Sequence, residues 1–159
     1  MVQVTLITVG TLKESYWRDA MAEYEKRLSA FCKPQILQLK EVKLGDDPSV
    51  GEIESALSEE GKRILAAIPQ KAYKIALCIE GTEYTSPALA KRLDSILAQN
   101  GHLALIIGSS YGLSDEVKGA CDMHLSVSKL TFPHQMMRVL LLEVLYRAFG
   151  ILKGTKYHK

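Results

Sequence analysis

Ser126 to Arg138 reads Ser-Val-Ser-Lys-Leu-Thr-Phe-Pro-His-Gln-Met-Met-Arg, and it gathers more chemistry per residue than any other part of the chain. Two serines, a lysine, a threonine, a histidine and an arginine stand beside Leu130 and Phe132. Polar groups set among apolar ones are what a small-molecule pocket is lined with. The plainer alternative is a capped connection from the strand before it to the helix after it. A second candidate is Gly108-Ser-Ser-Tyr-Gly112, which follows an apolar run. It is neither Gly-x-Gly-x-x-Gly nor a P-loop. The helix expected after it opens with Asp115 and Glu116, a poor seat for a phosphate drawn to the positive end of a helix dipole. This disfavours ATP and NAD and leaves room for a ligand without phosphate, of which S-adenosylmethionine is one. Taken by itself, the loop could equally be a tight turn that its glycines permit.

Metal chemistry finds no support. His102, His124, His134 and His158 are dispersed, and Cys32, Cys78 and Cys121 form no Cys-x-x-Cys pair. Three scattered cysteines suit reduced thiols in a cytoplasmic protein. The amino terminus alternates like a strand and lacks a basic leader, and no apolar run approaches the ~18 residues of a membrane span.

The elements that must position these residues alternate. Strands are expected at Val2 to Val9, Gln35 to Val42, Tyr73 to Ile79, His102 to Ile107 and Met123 to Val127. Helices are expected at about 15–31, 50–68, from Ser86-Pro87 to Asn100, after Ser114, and 134–152, with Ser86 as the cap of the third. The Glu59-Glu60-Gly61-Lys62-Arg63 run reads as a solvated face. Near-continuous apolar strands between helices indicate one α/β domain around a mostly parallel sheet. Ligands of such sheets collect beyond the carboxyl ends of the strands. Three ends qualify: Leu77 to Gly81, Ile107 to Gly112 and Val127 to Phe132.

The last helix is apolar nearly all round, which calls for cover on more than one side. In a chain of 159 residues a second copy is the expected cover, giving a symmetric homodimer. Glu143 and Arg147, four residues apart, should pair. Arg138, one turn beyond His134, should face the Ser126 to Arg138 stretch. Charge is divided unevenly: residues 125–159 carry six Lys or Arg against Glu143 alone, a net +5, leaving −3 for the first 124. That asymmetry favours an anionic partner at the carboxyl end, nucleic acid first. The terminal Gly154-Thr-Lys-Tyr-His-Lys159 is either a ragged end or an arm for RNA, with an aromatic ring, an imidazole and cations.

The stretch from Ser126 to Leu140, with Leu-Tyr-Arg-Ala-Phe at 145–149 and the terminal Tyr-His-Lys, resembles the small bacterial SPOUT-class methyltransferases that modify N3 of a pseudouridine in 23S ribosomal RNA. The likeness extends to Val9-Gly-Thr-Leu-Lys13 and Glu23-Tyr-Glu-Lys-Arg-Leu28, and so covers essentially the whole chain. It implies a homodimer with a C-terminal trefoil knot, S-adenosylmethionine as cofactor, no metal, and the assembled 70S ribosome as the setting. By position, the cofactor would be held by Leu77, Gly108, Val127, Ser128, Lys129, Leu130, Thr131 and Phe132. Arg138 would stabilise the substrate anion, and Tyr157 and His158 would position substrate or remove its proton. One departure stands out: Ser109 occupies the second position of a loop that usually reads Gly-Gly in the family. The rival to an enzyme is a non-catalytic ribosome-binding module of the same fold.

Overall fold

The computed structural model describes residues 1–159. Five strands, β1 (Gln3–Val9), β2 (Lys33–Leu39), β3 (Tyr73–Thr82), β4 (His102–Ile107) and β5 (Met123–Leu125), alternate with five helices. The helices are α1 (Ser15–Leu28), α2 (Val50–Ala67), α3 (Ser86–Asn100), α4 (Asp115–Ala120) and α5 (His134–Leu152). All sheet pairings are parallel, in the order β2-β1-β4-β3-β5. The expected α/β class and parallel sheet are therefore what the chain adopts.

Alternation along the central strands explains the three layers. Val4 and Leu6 of β1, with Leu103, Leu105 and Ile107 of β4, pack against α1, α3 and α5. Ile7 and Val9 of β1, with Ile106 of β4, point the other way, toward Ile64 of α2 and Val117 of α4. Strands covered on both faces have no polar side, which is why these segments read as apolar runs.

Local chemistry sets most boundaries. Ser49 and Glu52 form a reciprocal capping box at the start of α2. Gly101, at φ 69°, ends α3 in the left-handed conformation. Thr85 rather than Ser86 caps α3, accepting from Ala88 N, which places Pro87 in the first turn. α1 stops at Leu28, short of the expected Phe31, and β5 is only three residues long. β3 runs on to Thr82 through an irregularity, because Leu125 pairs with both Leu77 and Thr82. Cys78 to Gly81 thereby bulge out at the strand's carboxyl end.

His102, at the start of β4, lies within 2.8 Å of Thr5 Oγ1, and burial lowers its pKa below the ordinary 6.5. As pH falls below 6.5 the unfolded chain takes up a proton that folded His102 resists, so stability is present above that value and lost below it. The expected result is a lower denaturant midpoint at pH 5.5 than at pH 7.5, with the gap narrowed in His102→Gln. An unchanged gap would assign the acid sensitivity elsewhere.

Candidate active site

The three strand ends singled out by sequence converge on one cleft of about 440 Å³, inside the about 300–1,000 Å³ range of small-molecule sites. Its walls come from the β3 bulge, the loop after β4 and the connection from β5 to α5.

The loop after β4 is shaped by close backbone approach. A Cβ on Gly108 would lie 2.1 Å from the carbonyl oxygen of Gly112, so only glycine fits there. Gly112 N donates to Ser109 O at 2.9 Å, and Gly112 itself sits at φ 90°. Ser109 is not among the residues at positive φ, so its side chain costs no backbone strain. Its hydroxyl donates to Glu60 Oε1 at 2.8 Å. Here the solvated-face reading of residues 59–63 is corrected: Glu60 is 4% exposed and Gly61 is also buried. The helix turns these two residues inward, while Glu59 and Arg63 pair on the outside.

The β5–α5 connection is held by its own hydroxyls. Ser126 N donates to Thr82 O at 3.0 Å, Ser126 Oγ to Ser128 O at 3.0 Å, and Leu130 N to Ser128 Oγ at 3.0 Å. Of the residues that the resemblance assigns to the cofactor, Leu77, Gly108, Val127, Ser128, Leu130, Thr131 and Phe132 line this cleft. Lys129 does not; it is exposed and outside the lining. Leu130, 70% exposed, stands at the rim as an apolar side chain without cover in the single chain.

Sequence reading missed several lining residues. The β3 bulge adds Ile79 and Glu80, and α4 contributes Lys118, whose Nζ lies 2.6 Å from Glu80 Oε1. This contact holds the Glu80 carboxyl below its usual range and pushes Lys118 up. Nothing in the local pattern marks Lys118. Glu80 was within reach of the strand-end rule. Cys78 also lines the cleft, but burial, with Glu80 beside it, pushes its thiol up, which removes a thiolate nucleophile. His134 and Met137 of α5 complete the wall. Burial, and secondarily the Arg138 charge, lower the His134 pKa, so its imidazole is neutral near pH 7 and can accept a proton.

Arg138 does not line the cleft and is turned to the end of β1. Its Nη2 donates to the carbonyls of Val9 and Gly10 at 2.8 and 2.9 Å, and the residue is 1% exposed. These carbonyls at the end of β1 have no further strand to pair with, and the guanidinium satisfies them. Burial lowers its pKa, yet a guanidinium stays charged at any working pH. It makes no ion pair.

Tyr157 and His158 are brought together, but not at this cleft. Tyr157 Oη donates to Glu143 Oε2 at 2.7 Å, its ring centroid is 4.7 Å from the Arg147 guanidinium, and it meets Tyr146 edge-on at 4.8 Å. His158 Nδ1 lies 3.3 Å from Arg147. The expected Glu143–Arg147 pair is present at 2.6 Å. Glu143 is six and nine residues beyond Met137 and His134, about 9–14 Å along the helix axis. The tail thus packs on the far half of α5.

A second cavity of about 380 Å³ opens behind the loop after β4, between residues 41–45 and α2, with Lys13, Glu41, Lys43, Glu60 and Ser109–Tyr111 in its walls. No three His, Cys, Asp or Glu side chains stand close enough to hold a metal ion. No helix is long and apolar enough to cross a membrane.

The chain matches the family model described as "Predicted SPOUT methyltransferase" over residues 2–158. It is 45% identical over 159 residues to a protein of Clostridioides difficile named Ribosomal RNA large subunit methyltransferase H, covering 99% of this chain and all of that one. A protein of the same name from Bifidobacterium adolescentis is 46% identical over the same shares, and one from Streptococcus thermophilus is 45% identical.

Proposed function

The chain belongs to the SPOUT methyltransferase family, and from that premise we propose that it methylates N3 of a pseudouridine in 23S ribosomal RNA. S-adenosylmethionine is the donor, and the reaction takes place on the assembled 70S ribosome in the cytoplasm. The observation that carries this reading is the cleft itself, in which three strand-end loops meet over apolar walls.

The cleft fits S-adenosylmethionine on chemical grounds. Leu77, Ile79, Ile107 and Phe132 offer apolar surface to an adenine ring, and the serine-bearing connection offers backbone groups to its edge. The Glu80 carboxylate, kept ionised, is a counter-charge for a cationic ligand, although Lys118 shares it. Asp115 and Glu116 at the start of α4 repel a phosphate. When bound, the donor supplies a methyl group on a sulfonium and a neutral thioether as leaving group.

The chain's own task is to present one imide nitrogen to that methyl, so positioning carries most of the acceleration. The imide must lose its proton. Neutral His134 at the cleft wall can accept it, directly or through water, and His158 can do so where a tail reaches the cleft. Arg138 serves this step without touching substrate. Its buried positive charge favours an imide anion over the neutral form, while the same charge keeps His134 unprotonated before reaction.

The homodimer belongs to the same proposal. α5 is flanked by α1 and α3, yet Met136, Val139 and Leu140 stay only half-buried. A second copy against this face would cover them, and would bring a tail docked at Glu143 to the cleft of the other subunit. The trefoil knot is the remaining part of the same proposal, and what supports it is the family match.

The test is transfer of a labelled methyl from S-adenosylmethionine to purified 70S ribosomes and, separately, to a free RNA stem-loop carrying pseudouridine. Incorporation into ribosomes alone is expected. Comparable labelling of the stem-loop would overturn the ribosome requirement, and no labelling of either would overturn the activity.

A further inference from the structure

Behind the loop after β4, α2 presents two consecutive residues that grip both of the loop's ends. Glu60 Oε1 accepts from Ser109 Oγ at 2.8 Å, and Glu60 Oε2 accepts from Val42 N at 2.9 Å. Next to it, Gly61 lies so close to α4 that a Cβ would stand 2.7 Å from Ser114 Oγ and 3.2 Å from Val117. The loop between these anchors, Ser109 to Leu113, is one wall of the donor cleft.

A carboxylate 4% exposed is held in place only if its oxygens find donors. Glu60 has two, one on each of two segments that share no other side-chain hydrogen bond. Ser109 is its link to the cleft. Glu60 itself lines the second cavity, on the opposite side of that wall, and is not among the residues lining the donor cleft. We infer that Glu60 is a positioning residue for methyl-donor binding, acting through Ser109 to hold the Gly108–Gly112 wall in its binding shape.

The inference rests on reading the cleft as the donor site and adds to it a residue outside the cleft. It turns Ser109 from a departure into a working part: the hydroxyl supplies the hydrogen bond that a glycine side chain cannot.

Donor affinity by calorimetry, and kcat and KM for S-adenosylmethionine on 70S ribosomes, should be compared for the full chain and four variants: Ser109→Ala, Glu60→Leu, Glu60→Gln, and Ser109→Ala with Glu60→Gln. Leaving a buried carboxylate oxygen without a donor predicts that Ser109→Ala raises donor Kd and KM about tenfold, with kcat little changed. Glu60→Leu should do at least as much. Glu60→Gln should recover most of the affinity, since its amide can accept from Val42 N and donate to Ser109 Oγ. In the Ser109→Ala background that recovery should vanish. Should Glu60→Leu fail to fold, Ser109→Ala decides alone. Donor affinity unchanged in Ser109→Ala, or kcat lost at unchanged Kd, overturns the inference while leaving the donor cleft standing. Failure of the wild-type chain to bind the donor would overturn both.

Discussion

Removal of Tyr157 to Lys159 is expected to abolish methylation of 70S ribosomes while leaving the affinity for S-adenosylmethionine within about twofold. The tail contributes nothing to the cleft walls of its own chain, so the donor should bind as before. Its contacts are with Glu143, Arg147 and Tyr146 on the far half of α5. Losing the Tyr157–Glu143 hydrogen bond should cost about 1 kcal/mol of stability, too little to unfold the domain. If the tail delivers substrate to the methyl, its loss removes alignment, and even small misplacement costs on the order of 100-fold in rate. Calorimetry with S-adenosylmethionine, alongside label incorporation into ribosomes, separates the two effects. Equal loss of donor binding and activity would return the tail to a purely structural role.

The opposite pattern is expected for Gly108→Ala. The new methyl would fall 2.1 Å from the Gly112 oxygen and 2.5 Å from its carbon. Both are backbone atoms in a loop tied at Ser109, so neither can yield as a flexible side chain would. The loop must open, at an overpacking cost of about 1–3 kcal/mol. Donor affinity should then fall by about 5- to 150-fold, taking activity with it. Gly45→Ala is the matched control, since nothing stands within 4 Å of a Cβ there, and both properties should be unchanged. A Gly108→Ala variant with native donor affinity would show that this loop does not shape the site.

The fold was legible because its strands are buried on both faces. Leu103, Ala104, Leu105 and Ile106 all have 0% exposure, and a run of that kind can only be a central strand of a covered sheet. The strand-end rule then located the cleft, since the parallel sheet places three loops on one side. Positions set by long-range packing were not legible. Arg138 shares the helical face of His134 by spacing, but the carbonyls at the end of β1 draw it across the sheet, and nothing near residue 138 announces them. Glu60 sits in a charged run whose neighbours are solvated, and its burial depends on Ser109, 49 residues on. The tail read as either a ragged end or an arm for RNA, while its place on Glu143 depends on how the chain turns at Gly154 and packs Thr155 against Gly150. Local pattern reports which face of an element is apolar. It does not report which distant backbone group needs a partner.

The central claim is the methylation of N3 of a pseudouridine in 23S ribosomal RNA. Mass spectrometry of nuclease fragments of that RNA, from cells with and without the gene, tests it most directly. One fragment should carry pseudouridine plus a single methyl only when the gene is present, and the methyl should return when the gene is restored. Identical fragments from both strains would contradict the account.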